Sequence, residues 1–224
     1  MARQDSGPPE PDASGGTRDR IKAVAAELYV VKGHDGFSFG DIAAVIGTTR
    51  ANIHHHFGSK QQLMRELIED IAANAVARIE RYWRAGTVPF DQRLSMQLDD
   101  LRRYYHRFNP GDRDRNVWSP LSRLRHDLPA LGDDAVAALE RVNRTYDACL
   151  RHAVGEAVAA GQLRRETDVD DVVRVLRVTL LSCPPMTQDA GRFEEIELLF
   201  RALGRMISAT GEGGAPPILI VPEA

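Results

Sequence analysis

Thr48-Thr49-Arg50-Ala51-Asn52-Ile53-His54-His55-His56-Phe57-Gly58-Ser59-Lys60 packs two helix starts and a short apolar ridge into a run rich in phosphate-seeking groups. Thr49 is placed to N-cap a short helix. That puts Arg50, Ala51 and Asn52 in the exposed first turn, while Ile53 and Phe57, four residues apart, share a buried face. The stretch reads as a DNA recognition helix. Gly58 stops it and Ser59 opens another, because Ser59-x-x-Gln62 followed by Leu63 is a capping box. Lys60 then stands at a helix N-terminus, where free N–H groups and an ammonium make a phosphate site.

Just upstream, Ser38 caps a helix with Asp41 at its third position, and Phe37 can staple onto Ile42 across the cap. This helix, Phe39 to Ile46, is expected to bury Ile42, Val45 and Ile46 and to end at Gly47. A helix, a tight turn at Gly47-Thr48 and a second helix entered through Thr49 have the connection length of a helix-turn-helix. Between Asp41 and Glu66 the chain carries Arg50, Lys60 and Arg65 and no acid.

Thr17 to Leu67 resembles the DNA-binding domain of the TetR family of bacterial repressors. The motifs that carry the resemblance are Gly33, then Ser38-Phe39-Gly40-Asp41-Ile42-Ala43, then Gly47-Thr48-Thr49-Arg50-Ala51-Asn52-Ile53-His54-His55-His56-Phe57, then Ser59-Lys60. His54 departs from the family pattern, which usually has Tyr there to donate a hydroxyl to phosphate. The resemblance implies DNA contacts from Ser38, Thr48, Thr49, Arg50, Asn52, His54, His55 and Lys60. It gives Thr17 or Arg18, at the start of the first helix, a backbone contact that simple capping would replace. It further implies a homodimer formed through the last two long helices, a near-palindromic double-stranded DNA operator, and a small-molecule effector bound in the helical body.

With 224 residues the chain can bury one substantial core, or a small domain docked on a larger one. Forty-three per cent hydrophobic residues with few aromatics suits a helical protein, and a net charge of -3 excludes a blanket nucleic-acid binder, so DNA contact must come from a local patch. Cys149 and Cys183 lie too far apart in sequence to suggest a zinc knuckle. No apolar run approaches a bilayer span and the N-terminus lacks a signal core, so the expected location is cytoplasmic, away from the membrane.

The rest of the chain reads as helix throughout, giving an all-α fold with no stretch long enough for a sheet. Residues 1–16, rich in Pro, Gly, Ser and Asp, are expected to be a disordered arm. Residues 17–62 are expected to form the helix-turn-helix domain, 63–210 a ligand-binding and dimerisation domain, and 211–224 a tail of unassigned role. Thr17 is expected to cap a helix running to Gly33. Ser59 to about Arg84 forms a long helix with Leu63, Leu67, Ile71, Ala75 and Ile79 on one stripe. Helices follow over Phe90 to Phe108, Val117 to His126 and Asp133 to about Ala160, with a turn at Asn109 to Asp112 and punctuation at Pro129 to Gly132. The long helix from Asp133 is expected to turn Val136, Leu139, Val142, Tyr146, Cys149, Leu150 and Ala153 inward. Val169 to Cys183, ended by Pro184-Pro185, and Arg192 to Ala209 complete the set. Surplus apolar residues on these last two helices suit a symmetry mate or an internal core.

Three consecutive histidines invite a metal reading, but successive helical residues point about 100° apart and no Cys, Asp or Glu in the stretch completes a site. No metal or cofactor is expected. Their better use is donation to phosphate or a base edge, with His56 packed beneath the helix as an alternative. Arg50 and Asn52 suit guanine and adenine edges, although Arg50 could equally reach a phosphate. The competing classes are a helical enzyme, for which His106, His126 and His152 lie on separate segments with no nucleophile elbow, and a scaffold, which leaves the acid-free stretch unexplained. The reading is therefore a regulator rather than an enzyme. Trp83, Met96, Tyr104, Phe108, Trp118, His126, Asn143 and Tyr146 mix aromatic surface with polar handles, a composition that cavities and ordinary cores share.

Overall fold

The computed structural model describes residues 16–111 and 113–209. The expected arm, apart from Gly16, the expected tail over 211–224, and Asp112 of the turn lie outside those residues. The described residues form ten helices, α1 (Thr17–Lys32), α2 (Phe39–Ile46), α3 (Arg50–Phe57), α4 (Lys60–Trp83), α5 (Phe90–Phe108), α6 (Pro120–His126), α7 (Leu128–Leu131), α8 (Asp133–Ala159), α9 (Val169–Ala190) and α10 (Glu194–Ile207). The β structure among them is an isolated bridge between Leu163 and Ser208. Two compact units divide at Leu67/Ile68, within α4.

In the first unit, α1 and α3 both pack with α2 around Ile21, Ala25, Tyr29, Ile42, Ile53 and Phe57, all buried. Each isoleucine or phenylalanine so buried contributes roughly 1.5–3 kcal/mol relative to exposure. The Ser38 capping box is complete, and Phe37 is buried beside Ile42 as a staple requires. Gly47 ends α2 in the left-handed conformation, φ 71° and ψ 39°, with its N–H on the Ala43 carbonyl, a geometry that costs glycine no Cβ clash. Two expectations are corrected. Val45 is 63% exposed, because an eight-residue helix clamped on one side turns only one stripe inward. Gly16, rather than Thr17, is the N-cap of α1, its carbonyl accepting from the N–H groups of Asp19 and Arg20.

In the second unit α8 packs on α9 and α9 on α10, with α5 and α6 also meeting α8. The α4 stripe is buried along its whole length, from Leu63 to Ile79. Arg93 is buried as well, and donates Nε to the Val88 carbonyl at 2.8 Å and Nη1 to the Trp83 carbonyl at 3.0 Å. It thereby satisfies orphan carbonyls where α4 ends. Val136 is 43% exposed rather than inward, since the buried stripe of α8 runs through Ala135, Ala138, Leu139 and Val142 and leaves it to one side. Punctuation at Pro129 to Gly132 turns out to hold a short helix, α7, before Gly132 breaks it.

The largest departure is α9, which runs through Pro184 and Pro185 to Ala190 instead of stopping at Cys183. Two missing N–H groups should cost a helix about 3 kcal/mol each, so the stretch beyond them needs anchoring by other contacts. Thr187 supplies one such anchor: its hydroxyl donates to the Pro184 carbonyl at 2.8 Å and accepts the buried Trp118 Nε1–H at 2.8 Å. The helix beyond the prolines is thus tied to an indole on the segment entering α6. Thr187→Val leaves that indole donor unsatisfied and is expected to destabilise the protein by about 1–3 kcal/mol in urea denaturation followed by circular dichroism. Pairing it with Trp118→Phe should cost less than the sum of the two single changes. Strict additivity would show that the bridge does not couple them.

Candidate nucleic-acid interface and ligand cavity

The second helix of the helix-turn-helix, α3, is held from both ends. Its N-cap Thr49 accepts from the Asn52 N–H at 3.2 Å, and Asn52 Nδ2 donates to Thr48 Oγ1 at 2.9 Å. Ile53 and Phe57 face inward, which leaves Arg50, Ala51, His54 and His55 exposed on the outer face. The His54 ring meets Phe39 edge-on at 5.3 Å, so its imidazole is positioned by α2. His56 is half-buried.

Two of the cations singled out from sequence are engaged within the first unit. Arg18 donates Nη1 to the His56 carbonyl at 2.8 Å, pairs through Nη2 with Glu66 at 2.5 Å, and stacks 4.3 Å above the Phe57 ring. Lys60 donates Nζ to the carbonyls of His34 and Phe37, the latter at 2.6 Å, and sits 4.5 Å from the centre of the Phe37 ring. Burial pushes its ammonium pKa down, while Asp35 and Asp41 oppose that shift. Both side chains brace the fold where the sequence alone suggested free phosphate ligands. Sequence reasoning could not find these bonds, because their acceptors are backbone carbonyls, which every residue carries. Ser38 is likewise engaged, donating Oγ–H to Asp41 Oδ2 at 2.6 Å. Thr17 is exposed at the start of α1.

The second unit holds a partly open cavity of about 70 Å³ among α4, α5, α6, α8 and α9. Tyr104, Trp118 and Tyr146 line it, and His126 borders an adjoining open groove. Trp83 is instead core, fully buried against Phe90 with its indole N–H on Gln97 Oε1 at 3.2 Å. Met96, Phe108 and Asn143 are absent from the lining of the cavity and groove. Charged residues that the sequence reading passed over stand there, namely Arg78, Asp100, Arg125 and Arg177. Their helical spacing looked like solvent-facing polarity, and only the fold turns them together.

Most of these charges are neutralised locally. Asp100, 7% exposed, accepts from Arg78 Nε at 3.3 Å, from Arg103 Nη2 at 3.3 Å and from the Tyr82 hydroxyl. Arg78 also donates to the Tyr104 hydroxyl and lies over its ring. Arg177 Nη1 reaches both oxygens of Asp147 at 2.9 and 2.7 Å. Burial pushes the Tyr146 hydroxyl pKa strongly up, so it is a neutral donor at any working pH.

The sequence profile of "Bacterial regulatory proteins, tetR family" matches residues 21–67. The HTH-type transcriptional repressor KstR2 of Mycolicibacterium smegmatis is 24% identical over 172 residues, spanning 77% of this chain and 80% of that one. A TetR-family transcriptional regulator from Agrobacterium tumefaciens superposes with a TM-score of 0.72 at 20% identity, over 86% of this chain and 97% of the other. The ketosteroid transcriptional regulator KstR2 of Mycobacterium tuberculosis does so with a TM-score of 0.60 at 18% identity, over 86% and 95%. No described helix is long and apolar enough to cross a membrane.

The capping box yields a pH prediction for this unit. Hydrogen bonds from the Ser38 hydroxyl, then from Lys32, then from the Ser38 N–H lower the Asp41 pKa from 3.8 to about 2. A depressed folded-state pKa means stability that is present above the unfolded value and lost as pH falls through the folded one. The window therefore runs from about pH 4 down to about pH 2. Asp41→Asn should be less stable than wild type at neutral pH, with the two urea midpoints converging across that window. A gap that stays constant down to pH 2 would show that the carboxylate charge contributes nothing.

Proposed function

The chain is a transcriptional regulator of the TetR family, and from that premise we propose that it works as a homodimeric repressor. It binds a near-palindromic operator through α3 and leaves it when a small molecule occupies the cavity of the second unit. The observation that carries the DNA reading is the outer face of α3, where Arg50, His54 and His55 are exposed on a segment free of acids from residue 42 to 65. On a chain of net charge -3, such a face is the local positive footprint that DNA attracts.

Arg50, in the first turn of α3, is the base-reading candidate, since a guanidinium can meet a guanine edge with two hydrogen bonds. Asn52 would have to exchange its Thr48 partner for an adenine. Thr17, Thr48 and Thr49 offer hydroxyls to the phosphate backbone. Arg18, Ser38 and Lys60 act first by fixing the helices that present those groups. The homodimer is supported by exposed Val175 and Val178 on α9 and Leu198 on α10, apolar residues that a second copy would cover. In such a dimer the two reading helices would enter successive major grooves roughly 34–36 Å apart. Residues 17–62 read DNA in this scheme, and 63–210 bind the effector and dimerise. The matched relatives are regulators, and no observation favours an enzymatic reading.

Selection of bound DNA from a random pool tests the proposal and should return a near-palindrome. Failure to enrich any sequence would overturn it. On the selected site, Arg50→Ala should relax preference at one base pair per half-site, costing roughly 1–3 kcal/mol there. Lys60→Ala should instead weaken operator and random DNA alike while lowering thermal stability, because the loop from His34 to Phe37 loses its brace. Equal losses on operator and random DNA for Arg50→Ala would remove it from base contact.

A further inference from the structure

Among the guanidiniums around the cavity, Arg125 differs from the rest. Arg78 has Asp100 and Arg177 has Asp147, whereas no carboxylate or hydrogen-bond acceptor among the described residues engages Arg125. It is partly buried on α6, and the charged side chain that acts on it is another cation, Arg177. Burial pushes its pKa down and that repulsion adds to it, while the Tyr146 hydroxyl opposes the shift. A fold gains nothing from a desolvated, unpaired charge, which costs stability until something anionic arrives.

The position of Arg125 is as telling as its lack of a partner. Ser122, Arg125 and Leu181 line both the cavity and the adjoining groove, so Arg125 stands in the wall that the two share. On the inner side, Ala75, Ile79, Leu180 and Trp118 offer apolar and aromatic surface. An occupant that satisfies both sides has a compact apolar body directed inward and one anionic group at the wall. A planar carboxylate suits the guanidinium, which can hold it with two parallel hydrogen bonds.

We propose that the cavity takes a small organic carboxylate, its apolar body among Ile79, Trp118 and Leu180 and its carboxylate on Arg125. This rests on the reading of the cavity as the effector site and adds the ligand's chemical class. Arg125 is then the residue that distinguishes an acid from its neutral analogue. Ser122 and the Tyr146 hydroxyl are at hand as further donors along the same wall.

The experiment uses the full chain and two pairs of compounds small enough for a cavity of about 70 Å³, propionate with propionamide and isobutyrate with isobutyramide, titrated by calorimetry and tryptophan emission. At least one acid should bind about tenfold or more tighter than its amide, the amount that one charge-assisted hydrogen-bond pair contributes. Arg125→Met should abolish that preference by lowering acid affinity far more than amide affinity, and Arg125→Lys should restore part of it. Because the free protein loses an unpaired charge, Arg125→Met should also melt at the same or a higher temperature, whereas a merely structural arginine would leave a less stable variant. Acids that bind no better than their amides, a preference that survives Arg125→Met, or no binding by either acid would each overturn the proposal. A gel shift on the selected operator separates the two readings. An acid that binds through Arg125 without releasing DNA keeps the site and overturns ligand release.

Discussion

The recognition helix has eight residues and buries two side chains, too little to hold its own geometry in water, so its orientation depends on the Arg18 guanidinium. Arg18 takes the His56 carbonyl in the last turn of α3, stacks on Phe57, and pairs with Glu66 on α4. One planar group thereby ties three helices together at the end of α3 opposite its Thr49 cap. A cation at a helix C-terminus also meets the negative end of the dipole, so the contact is favourable electrostatically as well as geometrically. Lys60 performs the matching task on the other side, gathering the His34 and Phe37 carbonyls of the loop that leads into α2. The outward face of α3 is available for DNA because other cations do the holding.

The second unit obeys the same requirement that buried polar groups find partners, and it meets it with less margin. Arg93 closes the carbonyls after α4, Thr187 bridges an indole and a proline carbonyl, and Asp100 collects two guanidiniums and a phenol. Each satisfied group rigidifies the walls around the cavity. Arg125 is conspicuous against that background, since a unit that pairs Arg78, Arg93 and Arg177 leaves one guanidinium at the cavity wall unmet. Polar satisfaction in the free protein is incomplete at the place where a ligand could complete it.

Much of the architecture was legible because it is written in local codes. Ser38, Thr49 and Gly47 announce the ends of α2 and α3, and the i, i+4 stripe from Leu63 to Ile79 announces α4. What stayed hidden was long-range or context-dependent. Pro184 and Pro185 read as a stop, yet α9 continues past them, and its continuation is anchored by Thr187 to Trp118, 69 residues away. The aromatic residues chosen as pocket candidates divide between the core, as with Trp83, and the cavity, as with Tyr104, Trp118 and Tyr146, because composition does not separate the two. The arginines were overlooked for the opposite reason, since charge on an amphipathic helix normally marks the solvent face.

The proposed coupling between ligand and DNA runs along α4, whose 24 residues include both Lys60 and the cavity-lining Ala75, Arg78, Ile79 and Tyr82. Length alone releases nothing. The ligand must favour one position of α4 over another, and Arg78 is where such a preference can arise, because it already divides its donors between Asp100 and Tyr104. In the proposed complex a carboxylate at Arg125 would add negative charge to the cavity that Arg78 also lines, and would act on the balance of Arg78 between its partners. Whatever free energy that difference supplies is the whole of the coupling available, and reciprocity requires bound operator to weaken the acid by the same factor.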